Sequence, residues 1–228
     1  MKKLIVIPAY NEAQNIEKTI EDITDNTNYD YVIINDSSKD STKEICKKNN
    51  YNIMSLPINY GLTSAIQLGM KYALKKGYDI VIQFDGDGQH QGKYICELVT
   101  EIEKGSYDVV IGSRYVTEKK PKSLRMIGSR LISCGIKLTT GKTIKDPTSG
   151  MRAYNKRIID EFNNNASLSP EPDTLVYLLK KGRKIKEIQV SMNEREYGES
   201  YLTPFKSIEY MITMFFMIIF IRTITRGK

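Results

Sequence analysis

Tryptophan is absent from the 228 residues, histidine occurs once, at His90, and the three cysteines (Cys46, Cys96, Cys134) stand far apart. Odd in number and without metal-ligand spacing, these cysteines exclude a disulfide framework and a zinc module, and they suit a reducing cytoplasm. Long apolar runs are missing too. The run YMITMFFMIIFI at 210–221 falls short of the ~30 Å needed to span a bilayer at ~1.5 Å per helical residue. The opening MKKLIVIPAYNE is basic then apolar, but its apolar part is too short for a secretory signal and reads as a first strand. No internal repeat or low-complexity linker divides the chain. The net charge of +7 and pI near 9.1 favour anionic partners: phosphates, nucleic acid or an acidic membrane face. Yet an RNP-like aromatic stretch and a recognition-helix pattern are both absent, which leaves a nucleic-acid-binding protein as a remote alternative. The glycine-rich basic loop expected of a nucleotidyltransferase after its first strand is also missing; IPAYNE stands there instead.

What is present is alternation. Strands are expected at 4–8, 31–36, 52–56, 79–85, 108–113 and 184–192. Helices are expected at 12–23, 41–49, 61–77, 95–105, 123–138 and 174–182. Continuous apolar strands between amphipathic helices predict an α/β, Rossmann-like fold with a mostly parallel central sheet covered on both faces. Ligands bind beyond the carboxyl ends of such strands. Polar clusters stand at four of these ends: Pro8-Ala9-Tyr10-Asn11-Glu12, Asn35 to Asp40, Asp85 to His90, and Gly112-Ser113-Arg114-Tyr115. Each alone reads as a turn; four together predict one shared site.

The stretch IVIQFDGDGQH (80–90) carries the most chemistry. In an extended segment, side chains at i, i+2 and i+4 share a side, which would place Asp85, Asp87 and Gln89 together. Gly86 and Gly88 permit sharp backbone angles and close approach of a ligand. Adjacent carboxylates repel unless one is protonated or a cation lies between them. Oxygen donors suit Mg²⁺ or Mn²⁺, with substrate phosphates completing the shell. The plainer reading is an acidic surface turn. His90 either touches phosphate or only packs.

IPAYNE, NDSSKDST, DGDGQH, GSRY, DPTSGMRAY and REYGES, in this order, resemble the family 2 glycosyltransferases of GT-A fold, nearest the dolichol-phosphate-mannose-synthase-like branch that makes polyprenyl-phosphate sugars. The likeness runs from about residue 3 to about residue 202. It implies a nucleotide-binding half at about 1–115, an acceptor half at about 116–202, and an appended apolar helix at 203–228. It further implies that Pro8, Ala9, Tyr10 and Glu12 border the nucleotide, with Asp36, Asp85 and Gly86 on base, ribose or the metal's surroundings. Asp87 and Gln89 would be the more direct metal ligands. Arg114 and Arg195 would meet diphosphate or acceptor phosphate, and Asp146, Ser149, Gly150, Arg152 and Ser200 would shape the acceptor side. Two departures stand out: Ser37 where the family often has glycine, and Tyr201 where it usually has lysine.

The reaction so implied is an inverting displacement from a nucleotide-diphosphate sugar, UDP-linked first and GDP-mannose next. A lipid phosphate acceptor is already ionised. A saccharide or glycoprotein hydroxyl instead needs a base, for which Asp146, Glu171 and Asp173 are candidates. Asp146 also reads as a turn cap and Asp173 as a cap on a helix from Thr174. The basic, apolar segment 123–138 and the C-terminal run favour a polyprenyl phosphate at the inner face of the cell membrane. The terminal helix would dip into one leaflet, join an oligomer, meet a membrane partner, or simply complete the core.

Overall fold

The computed structural model describes residues 1–194 and 204–224. The elements run β1 (Lys3–Ala9), α1 (Ile16–Asn26), β2 (Asp30–Asn35), α2 (Thr42–Lys48), β3 (Ile53–Ser55), α3 (Leu62–Lys76), β4 (Ile80–Gln83) and α4 (Ile95–Glu103). They continue with β5 (Val109–Ser113), α5 (Leu124–Thr140), β6 (Arg152–Asn155), α6 (Lys156–Asn164), α7 (Pro172–Lys180), β7 (Ile185–Gln189) and α8 (Pro204–Ile224). The strands form one seven-stranded sheet in the order β3-β2-β1-β4-β6-β5-β7. Every pairing is parallel except those of β6, which runs antiparallel to both β4 and β5.

The strand alternation divides the core into two layers. Leu4 and Val6 of β1 point with Val32 and Ile34 of β2 toward α3, α6, α7 and α8, whereas Ile5, Ile7 and Ile33 point toward α1 and α4. All of these side chains are buried, so the strands read as unbroken apolar runs instead of alternating ones. Gly69 on α3 lies directly over Val6, and a methyl group there would collide with it. Gly77 ends α3 in the left-handed region (φ 70°), as its place after the last helical turn predicts.

Several boundaries differ from the sequence reading. The fourth strand stops at Gln83 instead of residue 85, because the chain turns once it leaves the covered sheet. The first helix starts at Ile16, not residue 12, after a turn in which the Glu12 carbonyl accepts from the Asn15 and Ile16 amides. The seventh starts at Pro172, with Glu171 as its N-cap residue, so Asp173 lies in its first turn and does not cap a helix beginning at Thr174. Strand β6 and helix α6 were not expected.

Helix α8 is 21 residues long and lies against α5 and α7. Gly128 and Gly135 of α5 let it approach: a Cβ on Gly128 would stand 2.6 Å from Met211, and one on Gly135 3.2 Å from Phe215. Met211, Met214 and Ile218 thereby join the first core layer. Its other face carries exposed Ile212, Phe216, Met217 and Phe220, and α5 exposes Ile127, Leu131 and Leu138. Among the described residues, no helix is long and apolar enough to cross a membrane.

Candidate active site

The loops beyond β1 and β2 are tied together by side chains that cap each other's backbone. The Asn11 amide donates to Ser38 Oγ at 3.0 Å, and the Lys39 amide to Asn11 Oδ1 at 2.8 Å. The Glu12 amide donates to Thr42 Oγ1 and the Ala13 amide to Asp40 Oδ2, at 2.9 and 3.0 Å. Asn11 and Ser37 both adopt positive φ, 58° and 57°. At Ser37 this is the conformation glycine takes without strain, which accounts for the glycine common there in the resembled family. Asp36 is buried, and its two oxygens accept from the Tyr60 and Gly61 amides at 2.8 and 2.7 Å, fixing the entry to α3. Pro8 and Ala9 end β1 beneath this rim, and the Pro8 carbonyl stands 3.1 Å from where a Cβ on Gly86 would lie. Tyr10 exposes its ring at the rim, 36% accessible. Glu12 Oε2 accepts from Asn15 Nδ2 at 2.7 Å.

The Asp85–His90 segment is a turn, not an extended continuation of β4, so its side chains do not simply alternate. Asp85 turns toward the protein. Its carboxylate lies 3.4 Å from both Gln83 Nε2 and His90 Nε2. It also covers Gly150 so closely that a methyl group on Gly150 would overlap it. Burial alone would raise the Asp85 value, but His90, Gln83 and the Arg152 guanidinium hold its carboxyl below the usual range. His90 is itself buried, edge-on to Phe84 with centroids 5.4 Å apart, and its Nδ1 has no partner. Asp87 stays at the half-buried rim, where its Oδ1 accepts from the Gln89 amide at 3.1 Å.

Across the rim, Arg114 follows β5 and forks onto Asp146: Nε to Oδ2 at 2.7 Å and Nη2 to Oδ1 at 2.8 Å, with the Arg114 amide adding a third bond at 3.1 Å. Burial works against the Arg114 charge, yet Asp146 holds it above its ordinary value. Glu187 of β7 anchors this loop by accepting from the Lys145 and Asp146 amides, both at 2.7 Å. Ser149 is buried and donates to the Gly112 carbonyl at 2.6 Å. Arg152 is a charged side chain only 1% exposed; it donates to the Ser149 and Pro147 carbonyls at 2.9 and 2.8 Å. Ser149, Gly150 and Arg152 therefore form the floor beneath Asp85.

Lys120 was not singled out by the sequence, where it is one of many lysines. Its Nζ donates to Ser129 Oγ at 2.8 Å and Ser133 Oγ at 3.4 Å, both on α5, and burial depresses its value. Lys120 and Arg114 both face the Tyr115 ring, at 5.4 and 5.2 Å from its centroid. Two cations thus share the Tyr115 ring, with Lys120 held against the middle of α5. At the start of α7, Glu171 accepts a hydrogen bond from Tyr210 of α8. Neighbouring Asp173 keeps one buried oxygen without a partner, and burial raises its value. Arg195 and Ser200 lie outside the described residues.

Among the described residues, no group of three or more His, Cys, Asp or Glu could hold a metal alone. The Asp87 carboxylate at the rim is the kind of donor Mg²⁺ or Mn²⁺ accept, since these ions take one or two protein carboxylates and complete their shell with substrate phosphates.

A structure of glucosyl-3-phosphoglycerate synthase from Mycobacterium tuberculosis with phosphoglyceric acid superposes with TM-score 0.72 at 16% identity, over 97% of this chain and 79% of that one. The same enzyme with Mn²⁺, UDP-glucose and phosphoglyceric acid gives 0.68 at 15% identity, again over 97% and 79%. The sheet order and these likenesses define the fold as GT-A. In sequence, the model described as Glycosyl transferase family 2 matches residues 4–162, and the chain belongs to that family. It is 32% identical to a dolichol-phosphate mannosyltransferase of Pyrococcus furiosus, over 92% of this chain and 62% of that protein. It is 28% identical to an undecaprenyl-phosphate mannosyltransferase of Micrococcus luteus, over 89% and 88%.

Proposed function

We propose that this glycosyltransferase moves a sugar from a nucleotide diphosphate to a polyprenyl phosphate at a membrane surface, by one inverting displacement. The reading is supported chiefly by one juxtaposition. The cations Arg114 and Lys120 stand where β5 leads into α5, and α5 with α8 carries the exposed apolar side chains. An amphiphile with an anionic head and an apolar tail matches that pattern, with the head at the cations and the tail along the helices. The polyprenyl-phosphate substrates named for the relatives agree with it.

Each residue then has a task. The loops holding Tyr10, Glu12 and Asp36 form the nucleotide pocket; UDP-hexose or UDP-N-acetylhexosamine is the first donor, and GDP-mannose the next. The relatives named as mannosyltransferases keep the second donor in contention. Asp87 and Gln89, backed by Asp85, would hold Mg²⁺ or Mn²⁺, which when bound offsets charge on the departing diphosphate. Asp146 takes the Nε and Nη2 prongs of Arg114 and so fixes the guanidinium, whose other edge would meet phosphate oxygens. The resemblance assigns Arg195 to the diphosphate or acceptor phosphate and Ser200 to the acceptor side; both lie outside the described residues. The acceptor oxygen, already ionised, attacks the anomeric carbon from the face opposite the leaving group, and no base is needed.

One observation favours a second reading, a hydroxyl acceptor: the unpartnered buried oxygen of Asp173, whose value burial raises, the direction that suits a proton acceptor. The test offers labelled UDP- and GDP-sugars with Mn²⁺ or Mg²⁺ to protein on vesicles containing undecaprenyl phosphate. Label in the lipid extract, lost in Asp87→Ala at unchanged melting temperature, is expected. Donor consumption with an unlabelled lipid fraction would overturn the lipid reading in favour of the hydroxyl one.

A further inference from the structure

Strand β7 and the chain leaving it bond a different part of the molecule at every second residue from 187 to 193. Glu187 accepts from the Lys145 and Asp146 amides. Gln189 bonds the loop after β5: its Oε1 accepts from the Thr117 amide at 2.8 Å, and its Nε2 donates to the Arg114 carbonyl at 3.0 Å. The Ser191 hydroxyl lies 2.7 Å from that of Tyr94, just before α4. Asn193 reaches the turn beyond β4 with three bonds. Its amide donates to the Gln89 carbonyl at 2.8 Å, its Nδ2 donates to the Gly88 carbonyl at 3.4 Å, and its Oδ1 accepts from Gln91 Nε2 at 2.8 Å. A spacing of two is how an extended chain presents one side.

The ends of that turn are held separately, from α1. Thr19 Oγ1 donates to the Gly86 carbonyl at 3.3 Å, and the Gly92 amide donates to Asp22 Oδ2 at 2.6 Å. Asn193 acts on the middle, between Gly88 and Gln91. There Gln89 is bonded on both sides: its amide donates to Asp87 Oδ1 and its carbonyl accepts from the Asn193 amide. The backbone of one residue thus joins Asn193 to the Asp87 carboxylate.

We propose that Asn193 is a positioning residue for the divalent cation: it latches the Gly88–Gln91 backbone to the chain leaving β7 and so holds Asp87 and Gln89 in one arrangement. The inference rests on the metal reading above. Because Gln189 grips the Arg114 loop four residues earlier, the same extended segment sets the separation between Arg114 and the cation's turn.

The test measures UDP and GDP binding to the full chain by titration calorimetry, without metal and across graded Mn²⁺. Asn193→Ala keeps the main-chain bond and removes both side-chain bonds at an exposed position, so the melting temperature should not change. The Mn²⁺ concentration that half-saturates the gain in nucleotide affinity should rise about tenfold, as when a metal ligand loses the partner that orients it. Metal-free affinity should keep its wild-type value. Gln91→Ala breaks the same 2.8 Å bond from the other side and should raise the Mn²⁺ requirement too, and the double variant should be no worse than Asn193→Ala alone. A general loosening of the loop would lower both affinities together and cannot give a defect confined to the metal. The proposal is overturned if Asn193→Ala keeps the wild-type Mn²⁺ requirement, if it weakens metal-free binding equally, or if the two single defects multiply in the double variant. Wild-type protein whose nucleotide binding ignores both Mn²⁺ and Mg²⁺ overturns the metal reading itself, and the role of Asn193 with it, an outcome read before any variant is made.

Discussion

Arg114 and Asp146 meet as a two-pronged ion pair, with Asp146 wholly enclosed and Arg114 only 23% exposed. Both carboxylate oxygens accept from the guanidinium, so the pair has one geometry. Asp146→Asn would set an amide donor against a guanidinium donor. Breaking a buried pair from one side costs about 3–5 kcal/mol. Urea unfolding should show a lowered midpoint with an unchanged slope. Arg114→Lys keeps the charge but loses the fork, and should retain more stability than activity.

Gly150 and Asp85 give a second prediction. Any side chain at residue 150 displaces the Asp85 carboxylate from its place against His90 and Gln83. Gly150→Ala should weaken UDP binding in the presence of Mn²⁺ by about tenfold, for an overpacking cost of about 1–3 kcal/mol. Titration calorimetry reads this directly. Wild-type affinity would mean that Asp85 can shift without consequence for the nucleotide.

The sheet was legible because its strands are buried on both faces and so appear as plain apolar runs. Strand β6 was not, because its four residues are Arg152, Ala153, Tyr154 and Asn155, and only satisfied hydrogen bonds let the arginine lie inside. Helix α6 carries Ile158, Ile159 and Phe162 at helical spacing and an Asn155 cap, so its signal was present but short. The rim residues announced themselves as polar clusters at strand ends. Their partners did not: Asp146 lies 32 residues from Arg114, and Tyr210 lies 39 from Glu171. Local spacing carries no information about such pairs: the β6-β5-β7 pairing and the bond from Asp146 to Glu187 bring Asp146 to Arg114, and the packing of α7 with α8 brings Tyr210 to Glu171.

A third prediction concerns alkaline pH. The enclosed Cys46 thiol is pushed up from 9.0 to about 11, chiefly by burial. The folded state then holds this proton more tightly than the unfolded chain. Its contribution is complete below pH 9 and is lost as pH rises toward about 11. Cys46→Ala should flatten that part of the stability profile while costing about 1 kcal/mol near neutrality. Urea midpoints for both proteins, near neutrality and at about pH 10.5, give the difference.

A fourth prediction separates membrane contact from folding. Phe216 is 56% exposed on the outer face of α8, so charge there should leave the core intact. Phe216→Glu should lower co-sedimentation with anionic vesicles several-fold at an unchanged melting temperature. Equal sedimentation would remove this face from the membrane reading.

The position of Met211, Met214 and Ile218 changes what trimming this protein would mean. They share one layer with Val32 and Ile34, side chains of β2 near the other end of the chain. Cutting at the start of α8 would not yield a tidier catalytic fragment. It would open the face of the domain that α5 and α7 now share with α8, and bare hydrocarbon would meet water. The last stretch of sequence is thus a wall of the enzyme as well as its outward surface, and the two duties must be pulled apart residue by residue.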